Sequence, residues 1–172
     1  FTNYWYREIS RDEVARDHQW FEETLCETVS IFALNRVASS WEHSPPNPHW
    51  REYAPAFREY AERLLSEKHR HLPPNKLVEE WYRENKDALK NNPYLREKNE
   101  LLATWLLPLL ENTPGSLAAI GYLNLEKSSF HKNFEAYLES WYSRCPEESR
   151  NFVTRVISLF EGRDRNGRVV AA

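Results

Sequence analysis

Trp20-Phe21-Glu22-Glu23-Thr24-Leu25-Cys26-Glu27 runs directly into Val29-Ser30-Ile31-Phe32-Ala33-Leu34. The first part places three carboxylates within six residues, and the second is almost wholly apolar. The stretch from about Asp17 to Trp41 reads as one long central helix. Ser44-Pro45-Pro46-Asn47-Pro48 stops it, because proline lacks the backbone donor that a helix interior needs. A helix buried on most sides does not normally begin with ionised glutamates, since an unpaired buried carboxylate is costly. The segment therefore decides the fold class and marks a candidate site.

Outward from this helix, the apolar spacing predicts helix after helix. Ser10-Arg11-Asp12-Glu13 has the form of a capping box. A helix is expected from about Trp50 to His69, with Pro55 in its first turns and Tyr53, Phe57, Tyr60 and Leu64 on one packed face. Asn75 to Leu89 follows, with Leu77, Trp81 and Leu89 inward. Arg96 to Glu111 is a core helix kinked or ended at Pro108. Thr113-Pro114-Gly115-Ser116 opens a short one, and His131 to Tyr142 another. Pro146-Glu147-Glu148 opens the last, with Phe152, Val153, Val156, Ile157 and Phe160 inward. No strand pair and no fixed-period repeat emerges. The expectation is one all-α domain of about seven helices, an irregular bundle over residues 1–162, followed by a charged tail at 163–172.

The 172 residues suffice for one hydrophobic core, and seven Trp, nine Tyr and eight Phe supply large buried areas. Four glycines disfavour a turn-dense β-protein, and a net charge of −3 argues against a nucleic-acid binder. No apolar run is long enough to span a bilayer. Cys26 and Cys145 could pair, but the simpler reading is two separate small buried residues.

On a helix, Glu23 and Glu27 share a face, while Glu22 points about 100° away. Two remedies for their charge are open: a metal ion, or basic partners such as Arg16. A solvated helix edge is the third possibility. His18, four residues before Glu22, could share a metal with it. His43 and His49 flank the proline loop. Lys68-His69-Arg70-His71 reads as a helix C-terminus with favourable dipole charges and not as a ligand set. Trp41 and Trp50 either line a cleft or clamp the proline loop onto the core.

The Trp20–Glu27 run resembles the third-ligand helix of the gluzincin metallopeptidases, which in their aminopeptidase branch reads Trp-Leu-Asn-Glu-Gly-Phe-Ala-Glu. Trp20, Glu23 and Glu27 match in identity and Phe21, Leu25 and Cys26 in type; Glu22 and Thr24 depart. The resemblance spans about eight residues. It implies that Glu23 binds zinc and that Glu27 supports a zinc-bound histidine without touching the metal. It further implies metal-activated water acting on a peptide or protein substrate. The defining His-Glu-x-x-His motif is absent from the chain; the aminopeptidase spacing would put its second histidine at Tyr4. The motif, with its general base, is therefore expected upstream of Phe1. The alternative is a non-catalytic helical domain, a degenerate zincin or an interaction scaffold, whose glutamates form structural ion pairs.

Overall fold

The computed structural model describes residues 16–125 and 133–162. Seven α-helices account for most of them, and no strand occurs among the described residues. They are α1 (Gln19–His43), α2 (Ala54–Leu65), α3 (Val78–Asn91), α4 (Arg96–Glu111), α5 (Ser116–Ile120), α6 (Phe134–Arg144) and α7 (Glu147–Glu161). Short 3-10 turns at Arg16–His18, Pro48–Tyr53 and Lys68–Arg70 join them. The all-α expectation is met. The aromatic start of the chain, the Ser10–Glu13 capping box, His131 and the 163–172 tail lie outside the described residues.

α1 has 25 residues, a length of roughly 38 Å at 1.5 Å per residue. It lies along α4 on one side and α2 on the other, while α3, α5 and α6 gather on α7. The main core forms where these groups meet. Trp20, Phe21 and Leu25 of α1 enter it beside Leu102, Leu106 and Leu110 of α4, and Phe152, Val153, Val156 and Phe160 of α7. The five inward residues expected on α7 are all buried. Two of the largest buried polar side chains have their donors paired. Trp141 Nε1 donates to the Ala119 carbonyl at 2.7 Å, and the Tyr137 hydroxyl to Asn124 Oδ1 at 2.8 Å.

Local chemistry explains most element bounds. Asn133 caps α6, its side chain accepting from the Ala136 amide at 2.8 Å. Pro146 precedes α7, and Glu147 and Glu148 occupy its positively polarised first turn. α7 closes at Gly162 with φ +68°, the left-handed cap that glycine adopts without strain.

Three expectations are corrected, and one open alternative is decided. The Trp50–His69 helix is three pieces: a 3-10 turn, α2, and the separate turn Lys68–Arg70. Proline at the start of α2 restarts the helix at Ala54. Its packed face is also rotated. Tyr53 and Tyr60 are exposed, while Ala54 and Ala61 are buried; the small alanines let α2 approach α1 closely. α4 spans Arg96–Glu111 as expected, and of the two alternatives at Pro108 it does not end there. Finally, α1 is not buried on most sides: of the Val29–Leu34 run only Ile31 is buried, because α2 and α4 cover only part of its circumference.

Candidate functional site

The head of α1 divides sharply by face. Trp20, Phe21, Thr24 and Leu25 are buried, whereas Glu22, Glu23 and Glu27 are half-buried. The Thr24 and Thr28 hydroxyls donate back to the Trp20 and Thr24 carbonyls at 2.9 and 2.8 Å. That satisfies both hydroxyls inside the core. The carboxylates thus sit at the boundary of the core, on a helix anchored by two large rings.

Glu27 meets a cation from far along the chain. Its Oε1 lies 2.7 Å from Arg70 Nη2, and the Arg70 side chain is wholly buried. Burial of an arginine is rare unless it is paired. Here three elements share it. Arg70 Nε is 3.4 Å from Glu67 Oε2, and Nη2 is 3.3 Å from Glu100 Oε1. Arg70 Nη1 also donates to the Glu100 backbone carbonyl at 3.4 Å. Glu100, itself buried on α4, accepts from Arg96 Nε at 2.7 Å, one helical turn away. His69 Nε2 lies 2.5 Å from Glu100 Oε2 and 3.6 Å from Glu67 Oε2. The first distance is a hydrogen bond when Nε2 carries the proton.

Burial alone would raise the Glu100 pKa. Hydrogen bonds from Arg96 and His69, with the charges of Arg70 and Arg96, outweigh it and hold the carboxyl below its ordinary value. Removing Arg70 would leave that buried charge short of a partner.

Placed on this frame, the sequence candidates separate. Glu23 and Glu27 do share the half-buried face of α1. Glu27 is ion-paired, and Glu23 has no ion pair among the described residues. His18 is buried, its ring stacked on Tyr137 at 4.4 Å between centroids. Cys26 is exposed, which corrects the expectation of burial, and it does not pair with Cys145. Desolvation by the surrounding chain, then the charges of Glu23 and Glu22, raise the Cys26 pKa, so its thiol is not an activated nucleophile. Burial pushes the Cys145 thiol up to about 11. His43 Nδ1 donates locally to the Ser39 carbonyl, 3.0 Å away, when it carries the proton. Trp41 stacks on Trp50 at 5.3 Å and meets Phe57 edge-on at 5.1 Å; the rings clamp the proline loop.

A cleft of about 500 Å³ opens beside the start of α1. His18, Trp20, Tyr82 and Phe134 line it, with Lys86 and Glu135 among its charged groups. Burial, with Glu135 and Asp87 nearby, raises the Tyr82 pKa, so the phenol stays protonated. Glu23 and Glu27 do not line this cleft.

Sequence reasoning missed the role of the Lys68–His71 run. It is not the end of the preceding helix. It is a turn that inserts Arg70 between α1 and α4 and sets His69 against Glu100. Among the described residues, the one trio of metal-ligating side chains is Glu67, His69 and Glu100, whose ligand atoms all lie within 4.8 Å of one another. Glu22, Glu23, Glu27 and His18 belong to no such trio there. The chain matches no known protein family, no curated protein and no solved structure.

Proposed function

We propose that this chain is the helical part of a zincin-type metallopeptidase, in which Glu23 supplies one carboxylate oxygen to zinc. The carrying observation is the unequal treatment of two carboxylates one turn apart. Arg70 neutralises Glu27 at 2.7 Å, while Glu23 is left without an ion pair among the described residues. The rings of Trp20 and Phe21 fix the helix that presents it.

The donor chemistry suits zinc: a half-buried carboxylate without an ion pair among the described residues. One carboxylate does not hold zinc alone, so the proposal requires two histidines and a base from a His-Glu-x-x-His segment outside these residues. Zinc bound there would polarise a peptide carbonyl and lower the pKa of its water. Within this chain, Glu23 binds and Glu27 supports. Arg70 fixes Glu27 through Oε1, which leaves Oε2 as the atom to accept from a metal-bound histidine.

The Glu27–Arg70 pair also favours a second reading, a non-catalytic helical domain whose glutamates are structural. Zinc content of the complete protein separates the two. The first reading expects Glu23→Gln to lose one equivalent of zinc, and Glu27→Gln to bind that equivalent about 10- to 100-fold more weakly. Equal zinc in wild type and Glu23→Gln sinks the first reading. In the second, Glu27→Gln lowers stability and leaves metal content unchanged.

A further inference from the structure

We propose that Glu67, His69 and Glu100 form a zinc-binding site, distinct from Glu23, that clasps the Lys68–Arg70 turn to α4. The trio offers one imidazole nitrogen and two carboxylate oxygens, a donor set that zinc takes readily. Zinc–ligand bonds of about 2.0–2.2 Å place neighbouring ligand atoms about 3.3 Å apart in a tetrahedron. His69 Nε2 and Glu67 Oε2 already stand at 3.6 Å, and His69 Nε2 and Glu100 Oε2 at 2.5 Å. All ligand atoms lie within 4.8 Å. Side-chain adjustments of roughly an ångström or so therefore complete the geometry, with no backbone shift.

The surroundings are those of a supported site. Glu100 Oε1 is held by Arg96 at 2.7 Å and Arg70 at 3.3 Å, which leaves Oε2 turned to His69. Outer hydrogen bonds of this kind orient metal ligands and tune them. The two guanidiniums do not bar a cation. Glu27, Glu67 and Glu100 carry three negative charges against the two positive charges of Arg70 and Arg96. With His69 neutral, as a ligand must be, the cluster is one charge negative. The Glu67 and His69 side chains are 36% and 27% exposed, so ions reach the site and water can take the fourth position.

The test is a zinc titration of the chelator-stripped full chain against a chromophoric competitor, with folding followed by circular dichroism. Wild type should bind one equivalent at this site and melt at a higher temperature with zinc than without. Glu67→Gln and His69→Gln should each weaken binding at least about tenfold. Glu67→Gln keeps the buried Arg70–Glu100 pair, so it remains informative if His69→Gln fails to fold. No zinc bound to wild type overturns the proposal. So does a Glu67→Gln form that binds as many equivalents as wild type with unchanged affinity, whereas an equivalent lost only in Glu23→Gln belongs to the Glu23 site and leaves this one standing.

Discussion

Two regions border the same helix and hold it by opposite means. On the inner side of the α1 head, Trp20 and Phe21 meet Phe134 and Phe160 at centroid distances of 4.8–6.1 Å. On its outer side, Glu27 meets Arg70, and through it Glu67, Glu100, His69 and Arg96. The ring cluster draws on apolar burial, which tolerates imperfect geometry and grows with area. The charged cluster gains only while every member keeps its partner, because desolvation cancels much of the Coulomb attraction. The rings therefore hold α1 in place, and the ions fix which carboxylates are neutralised.

The largest blow to this comparison should come from the rings. Phe21 is wholly buried, and Phe21→Ala should cost about 3–5 kcal/mol, read from urea or thermal unfolding. A loss under about 1 kcal/mol would show that the aromatic side does not anchor the helix.

Arg70→Ala should be close behind, at about 3 kcal/mol, because it leaves Glu27 without its ion pair and takes one of the cations from the buried Glu100 carboxylate. Arg70→Met combined with Glu100→Leu should recover much of that loss, since apolar replacement of a whole buried pair is often near neutral. If the double variant is as unstable as Arg70→Ala, the cluster contributes more than mutual compensation.

The smallest effect is one of pH. The Glu100 carboxyl is held below its ordinary value in the folded chain, so the folded state binds its proton less readily than the unfolded state does. The resulting stability is fully present above an unfolded value of about 4.3 and is lost as pH falls through the lower folded value. Urea midpoints followed downward from about pH 6 should fall more steeply for wild type than for Glu100→Gln. Parallel curves would mean that Glu100 is not a source of acid sensitivity.

Much of the architecture was legible because local pattern and tertiary packing agree. Leu101, Leu102, Leu106 and Leu110 repeat along α4, and Phe152, Val156 and Phe160 along α7; all seven are buried. On α2, the large aromatics suggested one face and the alanines took the contact, since close approach of two helices favours the small residue over the large one. The candidate site was half legible. The shared face of Glu23 and Glu27 follows from helical spacing, whereas Arg70 lies 43 residues from Glu27, and His69 lies 31 from Glu100. No local rule reaches across such separations. A basic run before Pro73-Pro74 also reads as a helix C-terminus, and only the meeting of three elements overrides that for Arg70.

That meeting also sets an order in time. Arg70 loses its water only when α1, its own turn and α4 have all arrived, and the segments between them are long. Long-range closures of this kind must meet their loop-closure entropy before the contact rewards it. Interactions absent from the transition state act on the rate of unfolding and leave the rate of folding nearly unchanged. Arg70→Ala should therefore speed unfolding and leave the folding rate nearly unchanged, making the buried guanidinium a matter of how long the assembled chain lasts more than of how fast it forms.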